Sequence, residues 1–325
     1  IPAWKIAPAL AYGNTVVFKP AELTPGSAWA LADIIARSGL PGGVFNLVMG
    51  PGAVVGQTLL DDARVQGVSF TGSVNTGAKV ADSCGRRHAK YQLEMGGKNP
   101  LVVLADADMD TAVNCALNGA YFSTGQKCTA SSRLIVEDSV HDEFVETLSA
   151  KIDSLIVDDA RKEGTQIGPV VSSAQLKQNL EYIDIAVAEG ARLVTGGERL
   201  ERAAAGFYMA PALFADTDNK WRINQEEVFG PVATTIRATD LDHAISIAND
   251  TAFGLSAGLC SQSLSSVRKF KQQSRAGMVM VNLPTAGVDY HVPFGGTKAS
   301  SHGSREQGRY AAEFYTSVKT AYIGS

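Results

Sequence analysis

Cys128 lies in the stretch Phe122-Ser-Thr-Gly125-Gln126-Lys127-Cys128-Thr-Ala, where small and polar neighbours leave a thiol reachable. A cysteine among small residues is more often a buried apolar side chain. This one follows a helix-length pattern and a Gly-Gln turn, which places it in a loop. Lys127 sets a positive charge beside it, and such a charge lowers a thiol's pKa and favours the nucleophilic thiolate. Cys84, Cys115 and Cys260 sit inside helix or strand patterns and read as packing residues. Glu94 closes a strand pattern just before Met95-Gly96-Gly97. A glutamate at a strand end is most often merely solvated. At the carboxyl edge of a parallel sheet, however, strand ends line the ligand crevice, and a carboxylate there can act as a general base through water.

Two glycine turns suit the approach of a cofactor. Gly50-Pro-Gly52-Ala-Val-Val-Gly56 opens a helix after a strand, the setting for a pyrophosphate at a helix N-terminus, although its spacing is not the standard GxGxxG. Phe70-Thr-Gly72-Ser73 is a second turn of the same kind. Lys19 and Glu22 follow the first strand pattern and either hold ribose hydroxyls or are two surface charges. In Glu226-Glu227-Val-Phe229-Gly230-Pro231 an acid stands beside an aromatic ring and a rigid turn, which suits a clamp on a flat hydroxylated ligand or an ordinary loop.

These residues need a scaffold, and the pattern supplies an α/β one. Strand patterns at residues 14–19, 43–48, 66–70 and 89–94 alternate with helix patterns at 27–38, from the 50–52 turn to about 60, and after 73. Parallel strands need crossover helices, so this spacing predicts a parallel sheet of dinucleotide-binding type. After Gly96-Gly97 the series restarts. Strand patterns at 100–104, 133–137, 232–237, 257–260 and 278–282 interleave with helix patterns at 110–122, 140–152, 241–249 and 264–274. This second α/β unit makes residues 94–97 the expected hinge. Residues 156–168 and 196–206 read as surface loops. Residues 316–323 alternate like an edge strand, which commonly pairs with another subunit.

At 325 residues the chain can form more than one compact unit, and 45% hydrophobic against 19% charged residues is ordinary for a globular protein. A net charge of −4 with no basic run argues against nucleic acid and anionic membrane surfaces as partners. No apolar stretch is long enough to span a bilayer. The four cysteines have no CxxC or Cys/His spacing, so neither a metal site nor a disulfide framework is expected, and a reducing, cytoplasmic setting is. The opening Ile-Pro-Ala-Trp reads as a cut rather than a native start.

Taken in order, several segments closely resemble the aldehyde dehydrogenase superfamily over essentially the whole chain. They are Ala3-Trp4-Lys-Ile-Ala-Pro-Ala-Leu-Ala, Val17-Phe-Lys19-Pro-Ala-Glu22-Leu-Thr-Pro25, Phe70-Thr-Gly72-Ser73 and Leu93-Glu94-Met-Gly-Gly97-Lys-Asn-Pro100. Gly125-Gln-Lys-Cys128, Glu227-Val-Phe229-Gly-Pro231 and Pro293-Phe294-Gly-Gly296 complete the set. The resemblance implies an aldehyde dehydrogenase-like α/β fold. An incomplete Rossmann-type NAD(P)-binding domain would occupy residues 1–95 and an α/β catalytic domain residues 96–300. Residues 301–315 would return to the cofactor domain and 316–325 would form an oligomerisation strand, in a homodimer or homotetramer.

Roles are implied as well. Cys128 would attack the aldehyde, and Glu94 would activate the water that hydrolyses the resulting thioester. Lys19 and Glu22 would bind the adenosine ribose, Gly52, Gly56, Gly72 and Ser73 the phosphates, Glu227 and Phe229 the nicotinamide end, and Trp4 and Phe294 the substrate. Glu22 favours NAD over NADP, since a carboxylate repels a 2′-phosphate. The stretch Gly303-Ser-Arg305-Glu-Gln-Gly308-Arg309-Tyr-Ala-Ala-Glu-Phe314 resembles the branch that oxidises 2-oxoglutarate semialdehyde. Alternatives are a succinate-semialdehyde or CoA-acylating relative, the latter disfavoured by Glu94, or a fold kept for a structural or binding role. Family members also carry a longer N-terminal segment, with an oxyanion-hole asparagine just upstream of the position of Ile1, so the chain as written is expected to lack one catalytic donor.

Overall fold

A computed structural model describes residues 1–324, which divide into two compact units. The first comprises Ile1–Met95, Val288–Gly295 and the chain from Ser301 onward; the second comprises Gly96–Gly287 and Gly296–Ser300. The stretch Val288–Gly295, expected with the catalytic region, packs in the first unit for a visible reason. The Phe294 N–H donates to the Glu306 carbonyl at 2.7 Å, the Glu306 N–H donates back at 2.8 Å, and the Phe294 ring lies 5.1 Å from that of Trp4.

The first unit begins with α1 (Pro2–Ala11), a helix unassigned from the sequence, with proline near its first turn and Ile6 and Ala9 buried. β1 (Val16–Phe18) pairs in parallel with β2 (Phe45–Leu47) through the crossover helix α2 (Pro25–Arg37). A wide helical turn at Gly52–Gly56 runs into α3 (Gln57–Asp61). β3 (Gly67–Thr71) pairs in parallel with β4 (Lys90–Glu94), joined by α4 (Val74–Arg86), whose first turn is capped by Ser73 Oγ accepting from the Thr76 N–H at 3.3 Å. Leu60, Val80, Cys84, Leu93 and Met95 form the core. The sequence predicts one parallel sheet; the hydrogen-bonded strands instead form two patches, β1-β2 and a three-stranded one. In the latter, β16 (Ser301–His302) returns from far along the chain and lies antiparallel on β4, with Ser301 opposite Glu94. A short helix α11 (Ala312–Tyr315) follows; beyond it the described residues to Gly324 form no strand, and Val318, Tyr322 and Ile323 are at least 95% exposed. A lone chain offers that segment no edge to pair with.

The second unit is built on β5 (Asn99–Val103), β6 (Ser131–Glu137), β7 (Arg192–Thr195), β10 (Ala212–Ala215), β11 (Val232–Ala238), β13 (Ser256–Cys260) and β14 (Met278–Val281). Their order is β14-β13-β5-β6-β11-β10-β7, parallel throughout except for β7 at one edge. Alternation on β5 explains the layering. Leu101 and Val103 face one core with α5 (Met109–Ala120) and α6 (Asp138–Asp153). Val102 and Leu104 face the other with α9 (Leu241–Asn249) and α10 (Leu264–Gln273). A strand buried on both faces reads as a continuous apolar run, as this one does.

α7 (Ser173–Ala188) has no counterpart in the sequence reading, although Leu176, Asn179, Ile183 and Ala186 recur at helical spacing and Ser172 caps it. A buried asparagine within that stripe weakens the apolar pattern. Short pieces complete the unit: β8 (Arg199–Leu200) with β9 (Tyr208–Met209), α8 (Arg222–Gln225), and β12 (Phe253–Gly254) with β15 (Thr297–Lys298). The segment 156–168, expected at the surface, sends Val157 and Ile167 into the core and bridges them, and 196–206 contains β8.

Arg133, at the start of β6, is fully buried and has no carboxylate hydrogen-bonded to it. Its guanidinium donates to the carbonyls of Lys98, Ile247 and Ala248 and to Asn219 Oδ1 at 2.8–3.1 Å, fastening the end of α9 to the head of β5. Burial drives its pKa down to about 10, still charged at neutral pH. Arg133→Met keeps the stem but takes the guanidinium donors from these acceptors, and a buried acceptor left unsatisfied costs ~1–3 kcal/mol. A loss of about 3–5 kcal/mol is expected, read as a lower urea midpoint at unchanged m-value.

Candidate active site

Glu94 and Cys128 belong to different units and are built differently. Glu94, at the end of β4, is only 3% exposed. Its Oε2 accepts from the Ser301 hydroxyl at 2.6 Å, across the β4–β16 ladder. Its backbone carbonyl accepts from the Gly72 N–H at 3.0 Å, which ties the second glycine turn to the same strand end. Loss of water raises its carboxyl pKa to about 8; the Ser301 hydrogen bond opposes that rise, Glu306 adds to it, and Lys5 and Arg305 oppose it. Behind it runs a polar cluster that the sequence reading missed. Lys5 pairs with Glu306 and donates to Ser69 Oγ at 2.9 Å; Ser69 donates to Gln92 Oε1 at 3.1 Å, and Gln92 donates to the Ser304 carbonyl at 2.6 Å. Lys5 lies within Ala3-Trp-Lys and Glu306 within Arg305-Glu-Gln, but their separation of 301 residues hides the pairing from any local pattern.

None of the four cysteines is in a disulfide, and Cys128 is the one that is not buried. Ser123 and Thr124 just before it adopt left-handed φ values of 58° and 57°, a conformation that costs energy in non-glycine residues. The following turn is closed by the Ala130 N–H on the Lys127 carbonyl at 3.0 Å. Asn99, buried at the head of β5, donates through Nδ2 to the carbonyls of both Cys128 (2.8 Å) and Ala130 (2.9 Å). Gly97 is required here, since a Cβ on it would lie 2.4 Å from the Cys128 carbonyl oxygen. Gly125, with φ of +61°, is required too: a Cβ would lie 2.1 Å from the Gly230 oxygen.

The Gly230 segment brings in the acid and ring. Glu227 Oε1 accepts from the Gly97 N–H at 3.0 Å, and burial raises the Glu227 carboxyl pKa. Lys98 is 2% exposed, and desolvation together with Arg133 lowers its ammonium to about 7. Phe229 holds φ at 57° and is part-exposed, while Gln175 and Gln178 donate to the Val228 carbonyl beside it.

In the first unit, a cleft of about 240 Å³ is lined by Pro20, Ala21, Glu22, Pro25, Met49, Gly50 and Pro51. Glu22 Oε1 accepts from the Gly52 N–H at 2.6 Å. Flat apolar walls with one carboxylate fit a nucleoside whose ribose hydroxyls are free. Lys19 turns its ammonium to the Pro20 carbonyl at 2.5 Å, and Ser73 Oγ donates to Thr76 Oγ1 at 3.0 Å. Gly56 ends the wide turn with open space around it. Trp4 is part-exposed, while Phe294, expected at the substrate, is 3% exposed and packs as a buried strut.

The aldehyde dehydrogenase family model matches residues 1–321. The chain belongs to that family. It is 45% identical over 325 residues to an alpha-ketoglutaric semialdehyde dehydrogenase of Bacillus subtilis, covering 99% of this chain and 67% of the relative. A betaine aldehyde dehydrogenase of Cereibacter sphaeroides is 43% identical over 324 residues, covering 100% and 66%. Among solved structures, a betaine aldehyde dehydrogenase of Staphylococcus aureus in complex with NAD+ superposes with a TM-score of 0.94 at 35% identity, over 97% of this chain and 62% of that one. The chain thus spans about two thirds of the length of its relatives. Among the described residues no helix is long and apolar enough to cross a membrane, and no cluster of three or more metal-ligating side chains occurs.

The buried Glu94 makes a testable demand on stability. With its pKa raised from 4.5 to about 8, the native state binds a proton that the unfolded chain releases, so stability falls as pH rises between those values. Glu94→Gln retains an acceptor for Ser301 and removes this dependence. At pH 7 the variant is expected to be more stable by up to about 3 kcal/mol, with no gain at pH 4. Urea melts of both proteins at the two pH values check this.

Proposed function

We propose that this chain carries out the NAD-dependent oxidation of an aldehyde to a carboxylic acid, with 2-oxoglutarate semialdehyde as its substrate. The observation that carries the reading is the protonation behaviour of Glu94, a carboxylate held in a dry site by Ser301 and poised near neutrality. That is the condition for a general base acting on water.

In this mechanism Cys128 Sγ attacks the aldehyde carbon, giving a thiohemiacetal whose oxyanion takes its shape beside the fixed Cys128 backbone. When bound, a nicotinamide dinucleotide supplies the acceptor for the hydride that leaves this carbon, and the adduct becomes a thioester. Glu94 then takes a proton from water, the hydroxide adds to the thioester carbon, and the acid departs as the Cys128 thiolate is released. Glu22, with the cleft beside it, would hold the adenosine ribose, and its charge favours NAD over NADP. Glu227 and Phe229 would frame the nicotinamide end, and Lys19, Gly52, Gly56, Gly72 and Ser73 would line the rest of the cofactor path. Similarity to semialdehyde dehydrogenases supports the substrate, while betaine aldehyde dehydrogenases support a competing one.

With NAD and aldehyde in rapid mixing, Glu94→Gln is expected to keep the first burst of NADH, about one equivalent per site, while steady turnover falls at least ~100-fold. Cys128→Ala is expected to abolish both. For the unmodified chain, thioester hydrolysis is expected to rise with pH through about 8, as the base ionises. Loss of the burst together with turnover in Glu94→Gln would remove its assigned role.

The exposed segment after Tyr315 is assigned to pairing with a second copy of the chain, since its alternating apolar residues have no contact of their own. Deleting residues 317–325 is expected to lower the oligomeric state in sedimentation velocity. An unchanged state would overturn that assignment.

A further inference from the structure

Lys127 stands immediately before the nucleophile, its Cα about 3.8 Å from that of Cys128 across one peptide bond. The backbone around it is fixed. Asn99 holds the carbonyls of Cys128 and Ala130, and Gln126 is tied at both ends of its amide, accepting from the Val171 N–H at 3.0 Å and donating to Thr124 Oγ1 at 2.9 Å. The Lys127 side chain is half-buried, and loss of water lowers its ammonium pKa. Among the described residues it takes part in no salt bridge and no side-chain hydrogen bond. Other partly buried lysines are compensated: Lys5 by Glu306, and Lys151 by Asn114 Oδ1 and Asp110.

A cation partly stripped of water and left without a partner is destabilising in the free protein and is offset only when an anion arrives. The two substrate classes supported by similarity are opposite in charge at the end remote from the aldehyde, one a carboxylate and the other a quaternary ammonium. We propose that Lys127 is the specificity-determining residue of this site, selecting aldehydes with an anionic far end by pairing with that carboxylate while Cys128 takes the carbonyl carbon. This deepens the function proposed above and rests on Cys128 as its nucleophile. Attraction to the anion and repulsion of the cation act together, which is how one charge separates two ligands of similar size.

The test compares the unmodified chain with Lys127→Met, which keeps the stem and removes the charge, and Lys127→Arg, which restores it. The aldehydes are 2-oxoglutarate semialdehyde, succinate semialdehyde, pentanal and betaine aldehyde. A charge-assisted contact predicts a fall in kcat/KM of about 10- to 100-fold for the two anionic aldehydes in Lys127→Met, mainly through KM. Pentanal reports whatever effect the charge has on the thiol itself, and the anionic pair should fall at least about 10-fold further than pentanal; betaine aldehyde should fall no further than pentanal, and Lys127→Arg should recover most of the loss. An equal fall for all four aldehydes would overturn the proposal and leave Lys127 as an activator of the thiol. No fall for the anionic pair would overturn it outright.

A second readout does not need turnover. Alkylation of Cys128 by iodoacetamide is timed with and without 2-oxoglutarate, and with its dimethyl ester as the uncharged control. Protection by the dianion alone, lost in Lys127→Met, supports the charge contact even if no aldehyde is oxidised, in which case only the reading of function fails. Equal protection by the ester, or none by the dianion in the unmodified chain, overturns the contact while leaving the dehydrogenase reading intact.

Discussion

The carboxamide of Asn99 is the group on which the position of Cys128 depends. It is 1% exposed at the head of β5, an interior strand of the seven-stranded sheet, and both ends of the amide are hydrogen-bonded inside the protein. Its nitrogen holds two carbonyls of the cysteine turn, and its oxygen accepts from the Ser256 N–H at 3.0 Å, at the head of the neighbouring strand. The Cys128 turn is thereby fastened to the heads of two adjacent strands. The constraint spreads outward. Gly97 must lack a side chain for the turn to come this close, Gly125 must lack one for the chain to pass Gly230, and Ser123 and Thr124 carry the strain of the approach. Strain of this size persists only where the surroundings overdetermine it.

Glu94 solves the opposite problem. Cys128 is left part-exposed, whereas the Glu94 carboxyl is kept dry at the end of the second strand of a parallel pair. β16 covers the carboxylate and contributes one hydroxyl, enough to orient it but too little to restore its acidity. Lys5 lies near enough to lower the pKa but is itself paired to Glu306, whose negative charge raises it. Desolvation therefore wins, and the carboxyl is tuned by burial more than by any partner. The cost is a native state that weakens as pH rises, which the rest of the first unit must absorb.

Local features were more legible in the sequence than long-range ones. Cys128 stood out because a loop and polar neighbours could be read locally, and it is the one cysteine of the four that is not buried. Strands and helices with continuous or alternating apolar patterns lie where the spacing puts them, from β1 to β6 and again from β11 to β14. What escaped notice was whatever depended on distance in sequence. The pairing of Ser301 with Glu94, the Lys5–Glu306 ion pair and the placement of Val288–Gly295 in the first unit all join segments some two hundred residues or more apart. Helix α7 escaped for a different reason, because Asn179 interrupts its buried stripe.

The second unit is unusual in the sign of the charge it buries. Lys98 and Arg133 are both essentially inaccessible, and among the described residues neither is hydrogen-bonded to a carboxylate. Arg133 is stabilised by carbonyl dipoles at the end of α9, where the helix macrodipole is negative, so the helix adds to the counter-charge that the nearby Asp250 carboxylate supplies. Lys98 has no such cap and responds by moving its pKa towards neutrality, with Glu227 only partly restoring it. The same burial therefore has two outcomes: Arg133, met by carbonyls, keeps its charge at neutral pH, while Lys98, without them, gives part of its charge up.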